Sequence, residues 1–185
     1  MSVRQVIVVD TETDGLDYDH NRPVEVAWRW WRADVGGVFI PPHQLGEHTQ
    51  EKALEINGYH ERNLADTSRW DHDYAGAKLL HEMLQGAALA GANPRFDAAM
   101  LNHLFRAAGL PPEPWHFRLS DISAWAAGRL GIPPWSIPGL HTLTEVLGVP
   151  SPTHGAVDDV NAVCFVLDRL VPPTRALEPG EGMTV

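Results

Sequence analysis

Asp10 and Glu12 stand one residue apart at the end of the run VIVVDTETD. In an extended chain, residues i and i+2 share a face, so two carboxylates at this spacing crowd their charge together unless a cation lies between them. Pairs of this kind serve two chemistries: acid and base catalysis, as in glycoside hydrolysis, or the holding of hard divalent cations. Two further stretches hold residues of matching character. GANPRFDAAML contains Asp97 within the pattern N-x-x-F-D-x-x-x-L, in which Phe96 and Leu101 read as core contacts. THGAVDDVNAVCFVLDRL contains His154 and Asp159 at the spacing H-x-x-x-x-D. An imidazole, with an ordinary pKa of about 6.5, can accept a proton near neutral pH.

The elements that must position these groups follow from periodicity. Residues 6–9 form a β-branched apolar run that reads as a buried strand with Asp10 and Glu12 at its end. Residues 23–31 read as a second strand and 36–42 as a third, with Gly36 and Gly37 as the hairpin turn. Tyr74, Ala77, Leu80 and Leu84 recur at helical spacing within 71–85, with Thr67, Ser68 and Asp71 as caps and Gly86 as a stop. A short strand over 87–92 leads to a helix over 94–108, opened by Pro94 and ended by Gly109. A strand over 116–121, a helix over 122–130, a loop marked by Pro133, Pro134 and Pro138, and a helix over 140–148 complete the alternation.

The last helix spans 156–170. At about 100° per residue, Ala156, Val160, Val163, Cys164, Leu167, Leu170 and Val171 form one apolar stripe. Asp159 falls on its flank and Asp158 almost opposite, so Asp159 is the carboxylate expected to lean over the sheet. Three strands followed by alternating helices and strands imply an α/β domain with a mixed central sheet. The expected organisation is one domain over 1–172 and a loose tail over 173–185.

Composition excludes several classes. A formal charge of −10 argues against tight binding of long polyanions by charge alone. The single cysteine, Cys164, excludes an intramolecular disulfide and multi-cysteine zinc sites. Without a signal-like N-terminus or a membrane-spanning run, a cytoplasmic protein is the expectation.

In order along the chain, Asp10 and Glu12 in VVDTETDGL, Asp97 in NPRFDAAML, and His154 with Asp159 resemble the three motifs of the DEDDh 3′→5′ exonucleases. That is the family of the epsilon proofreading subunit of bacterial DNA polymerase III, and its fold is related to ribonuclease H. The likeness runs from about residue 6 to residue 170, and LHTLTEVLGVP resembles the helix preceding the third motif.

The resemblance implies a three-layer ribonuclease H-like fold and hydrolysis of phosphodiesters from the 3′ end of nucleic acid. Single-stranded DNA is preferred to RNA as the expected substrate, and nucleoside 5′-monophosphates are the expected products. It implies two divalent cations, Mg²⁺ or Mn²⁺, held by Asp10, Glu12, Asp97 and Asp159, with His154 as general base. It also implies substrate contacts from Thr13, Leu16, Asn57 and Tyr59, and a polymerase or repair complex as one setting.

The chain departs from the family at Asp14, where many members have a second threonine, and at Asn57, Gly58 and Tyr59, where relatives place H-G-I. Trp70, Trp115 and Trp135, in or near loops, are the tryptophans best placed for base stacking, whereas Trp28, Trp30 and Trp31 read as packing. The nine other histidines read as surface or packing residues. Three rival readings are an exoribonuclease, a weakly active binding module, and a glycosidase. The last leaves the H-x-x-x-x-D and N-x-x-F-D spacings unexplained.

Overall fold

The computed structural model describes residues 4–171, so the expected boundary at 172 and the tail over 173–185 lie outside the described residues. Its sheet has the order β3-β2-β1-β4-β5. The strands are β1 (Val6–Thr13), β2 (Pro23–Trp30), β3 (Gly36–Phe39), β4 (Ala88–Gly91) and β5 (Ser120–Asp121). β1 pairs antiparallel with β2, and β2 with β3. β4 lies parallel to β1, and β5 parallel to β4. The helices are α1 (Glu51–Ile56), α2 (Ala75–Met83), α3 (Pro94–Ala107), α4 (Ile122–Arg129), α5 (Leu140–Leu147) and α6 (Ala156–Leu170).

The alternation of β1 decides which layer each side chain meets. Ile7 and Val9 enter a core with Leu80 of α2 and with Leu101 and Phe105 of α3. Val8 enters a second core with Ile122 of α4, Leu143 of α5, and Val160 and Val163 of α6. Asp10 and Glu12 keep the parity of Val8 and belong to the α6 face, while Thr11 keeps that of Val9 and faces α3. The sheet thus hands carboxylates to one layer and a hydroxyl to the other.

Several elements differ from the sequence reading. β1 continues to Thr13, because β2 pairs with it past the acidic residues as far as Pro23. Gly36 and Gly37 do not form the hairpin turn but pair with Arg29 and Trp28 inside β3, and the turn lies at 31–34. A Cβ on Gly36 would lie 2.7 Å from the Trp28 carbonyl oxygen and one on Gly37 2.9 Å from its Nε1, so both glycines serve close packing across Trp28. α1 falls in a stretch whose periodicity is too short to signal a helix.

α2 begins only at Ala75, yet Asp71 still caps it by accepting from the Ala75 and Gly76 amides at 2.8 Å. Thr67 and Ser68 do not cap it; they sit in a separate 3₁₀ turn capped by Asp66. The strand expected over 116–121 reduces to Ser120–Asp121, which pair with Ala90 and Gly91 of β4.

Candidate active site

Asp10 and Glu12 emerge at the C-terminal end of β1, and Asp159 projects from the N-terminal end of α6. One carboxylate oxygen from each lies within 4.8 Å of the other two. Asp158 is exposed and accepts a hydrogen bond from the Thr153 hydroxyl instead. The helical stripe therefore separates two adjacent aspartates as the sequence predicts.

Asp97 reaches the same end from the opposite layer. Its Oδ1 accepts from both the Thr11 amide and the Thr11 hydroxyl at 2.9 Å, and the residue is 6% exposed. Pro94 in the first turn of α3 sets the approach. A Cβ on Gly91 would lie 3.1 Å from the Val9 carbonyl oxygen and 3.4 Å from Asp97 Oδ2, so glycine lets that turn close on β1. His154 is exposed on the loop before α6, with φ +61, next to the extended Gly155.

The electrostatics are those of a cluster lacking positive charge. Burial first, then Asp159 and Glu25, push Glu12 up to about 8, with Arg62 opposing. Burial raises Asp97 to about 7 against the Thr11 hydrogen bonds. Asp10 rises well above the ordinary carboxylate range through burial, then through Asp97, Glu12 and Asp159. Asp159 is raised by burial, with the His154 side chain and the amides of His154 and Thr153 opposing.

A second acidic residue beside the cluster is handled differently. Glu25 of β2 stands directly opposite Glu12 and is 5% exposed. Both its carboxylate oxygens accept from Arg62 Nη2 at 2.5 Å, and Oε2 also accepts from the Ala156 amide, the first of α6, at 3.1 Å. Arg62 Nη1 donates to the Asn57 carbonyl, and Asn57 Nδ2 donates to the Thr13 carbonyl. This clasp joins the end of β1, β2, the 57–62 loop and the start of α6, and so fixes the ground beneath His154. Sequence reasoning missed it, although a glutamate between Val24 and Val26 in an apolar strand signals a buried charge that needs a partner.

A cleft of about 200 Å³ opens beside Glu12, lined by Thr13, Leu16, Gln50, Ile56, Asn57 and Phe96. Leu16 is 68% exposed at its mouth. Asp14 is buried and staples this loop: its Oδ1 accepts from the Arg22 amide at 2.7 Å. A Cβ on Gly15 would fall 2.4 Å from Asn21 Oδ1, so the D-G-L turn leaves Asn21 room to pack beneath it.

Among the four predicted substrate contacts, Thr13, Leu16 and Asn57 line this cleft and Tyr59 does not. Tyr59 is 3% exposed in a core with Leu54 and Leu64, its hydroxyl 2.8 Å from His43 Nε2. Phe96, read as core from the sequence, is half-buried and lines the cleft, whereas Leu101 is core. Gln50 and Ile56 were missed because α1 was. Trp115 is buried against Phe105 and Trp70 packs on His43, which leaves Trp135 as the exposed one of the three loop tryptophans.

The donor set suits a hard cation. Asp159 Oδ1 is buried with no hydrogen-bond partner in a site of converging carboxylates, and an all-oxygen set is what Mg²⁺ or Mn²⁺ prefers. The nearby guanidinium of Arg62 is already committed to Glu25.

No protein-family model matches the chain, and no curated protein matches it in sequence. Solved structures do. Escherichia coli Exonuclease I in complex with a dT13 oligonucleotide is 21% identical, with a TM-score of 0.71 over 90% of this chain and 42% of that one. The zinc-bound form of its complex with single-stranded DNA is 20% identical, with a TM-score of 0.73 over 92% of this chain and 40% of that one. A product-bound structure of exonuclease I is 18% identical, with a TM-score of 0.70 over 91% of this chain and 43% of that one. The chain therefore spans about two fifths of the length of Exonuclease I and shares the α/β fold of that part of it, with a mixed five-stranded sheet. Among the described residues, no helix is long and apolar enough to cross a membrane.

Proposed function

We propose that the chain is a metal-dependent 3′→5′ exonuclease that removes nucleoside 5′-monophosphates from the end of single-stranded DNA. The observation that carries this reading is the convergence of Asp10, Glu12 and Asp159 within 4.8 Å, with a buried unpartnered oxygen on Asp159, beside a cleft of about 200 Å³. The shared fold with an enzyme solved on DNA oligonucleotides supports the substrate class.

Asp10, Glu12 and Asp159 would hold the divalent cations, Mg²⁺ or Mn²⁺, with Asp97 supporting them from the α3 side. When bound, a pair of such ions stabilises the charge that builds on the attacking and leaving oxygens of a phosphodiester. His154 takes the proton of the attacking water on its imidazole, from a loop exposed enough to close over substrate. Thr13, Leu16, Asn57 and Phe96 receive the terminal nucleoside, Leu16 and Phe96 offering apolar surface to the base. An end-acting enzyme grips few phosphates, which reconciles the reading with a charge of −10. A cytoplasmic setting, alone or within a polymerase or repair complex, belongs to the same reading.

The test uses 5′-labelled DNA and RNA of one sequence with Mg²⁺, Mn²⁺ or EDTA. A ladder shortening from the 3′ end with metal, faster on DNA, is the expected result. A faster RNA ladder would make the chain an exoribonuclease, and intact polymers under every metal would overturn the hydrolase reading.

A further inference from the structure

A second groove, of about 460 Å³, lies along the outer side of α3 and is lined by Tyr18, Arg95, Asn102, Glu113, Trp115 and Phe117. Phe117 is 79% exposed and Tyr18 41%. Rings this open lose apolar burial that the fold could have used, and two in one groove make a surface suited to a partner. Phe117 lies between His116, whose ring centroid is 4.4 Å away, and the Arg118 guanidinium, 5.3 Å from its centroid.

The groove continues the terminal cleft. Tyr18 meets Phe96 edge-on, with ring centroids 5.4 Å apart and planes at 86°, and Phe96 lines the cleft beside Glu12. Leu16 and Tyr18 belong to one loop, so that loop borders both spaces. His103 Nε2 lies 2.7 Å from the Tyr18 carbonyl oxygen and ties the loop to α3. Charge completes the pattern. Arg95 lines the groove and Arg118 stands beside Phe117; both are exposed, and neither forms an ion pair among the described residues of a chain of net charge −10. Glu113, which also lines the groove, repels an anionic backbone and so favours its passage at the arginines.

We infer that this groove binds the nucleotides immediately upstream of the terminal one, with unpaired bases on Phe117 and Tyr18 and phosphates at Arg95 and Arg118. The inference rests on the exonuclease reading for the identity of the cleft, and it commits to single-stranded nucleic acid: a duplex keeps its bases stacked on each other and cannot offer them to these rings. The arginines act without sequence preference, so the groove sets how much strand is held and leaves the sequence unread.

Phe117→Ala and Arg95→Ala, singly and together, are compared with wild type on two substrates: an oligothymidylate octamer, and the p-nitrophenyl ester of thymidine 5′-monophosphate, which has no upstream nucleotide. The double variant is expected to lose about ten-fold or more in kcat/KM on the octamer alone, from one lost stacking platform and one lost phosphate contact. Its salt dependence of octamer binding should also flatten by about 0.7 in log–log slope for the single arginine removed. An unchanged octamer rate, or an equal loss on both substrates, overturns the groove. Should wild type cleave neither substrate, the hydrolase reading fails, and octamer binding in EDTA then judges the groove. Loss of affinity in the double variant with an unchanged melting temperature upholds it, and equal affinity sinks it.

Discussion

Glu12 and Glu25 face one another across β1 and β2, yet the fold treats them in opposite ways. Glu25 is matched at once: Arg62 donates to both its oxygens and a helix amide donates a third hydrogen bond. Glu12 joins Asp10 and Asp159 in a group whose pKa values are driven upward by burial and mutual repulsion, with no basic side chain inside it. Two carboxylates in equivalent register thus differ only in where their cation comes from. One is supplied by the chain; on the metal-binding reading proposed above, the other comes from solution. A protein that could place Arg62 beside Glu25 could have neutralised Glu12 as well, so the uncompensated cluster is a retained cost with a use.

The contrast breaks most visibly under substitution. Asp10→Asn should lower the exonuclease rate by about 10³-fold or more, some 4 kcal/mol of lost transition-state stabilisation, while raising the melting temperature in EDTA by relieving repulsion. A variant both slower and less stable in EDTA would mean that the cluster is a structural device like the clasp. His154→Ala should cost about 10²- to 10⁴-fold in rate and leave the cation-induced rise in melting temperature intact, which differential scanning fluorimetry reads directly.

Arg62→Met should behave oppositely to Asp10→Asn, destabilising the fold with or without metal. Because Arg62 is a third exposed, the loss by urea unfolding should be about 2–3 kcal/mol, below that of a fully buried pair. Combining it with Glu25→Gln should return part of that loss, since no buried charge is then left alone.

The smallest effect is a slope with pH. Glu12 and Asp97 titrate at about 8 and about 7 in the folded protein, against ordinary values of 4.5 and 3.8. Between those limits the folded state binds more protons than the unfolded one. Stability in EDTA is therefore complete below about pH 4 with respect to these groups and falls as pH rises through 7 and 8. Saturating Mg²⁺ should flatten or reverse that slope, because the ionised carboxylates then bind metal. A rise in metal-free stability over the same window would contradict the assignment.

Much of the site was legible because its signals are local. A strand parity puts Asp10 and Glu12 on one face, and a helical stripe selects Asp159 over Asp158. Both depend only on the periods of 2 and 3.6. The clasp was not legible, because Arg62 and Glu25 meet through a cross-strand register and a loop separated by 37 residues, and no spacing announces it. Tyr59, named as a substrate contact through the resemblance alone, sits in a core with Val24, Ile40, Leu54 and Leu64 that no spacing in its polar segment announces. The fold class followed from element order, whereas the extent of β5 depends on a pairing with β4 that only Ser120 and Asp121 make. Gly36 and Gly37 show the same limit, since a glycine pair marks a turn and a tight aromatic crossing alike.

The claim that the carboxylates at the end of β1 and the start of α6 seat divalent cations is tested most directly by anomalous diffraction from crystals soaked in Mn²⁺ and thymidine 5′-monophosphate. The account predicts manganese peaks bounded by Asp10, Glu12 and Asp159, absent from the Asp10→Asn crystal under the same soak. Manganese found elsewhere on the acidic surface, with none among these three side chains, would contradict it.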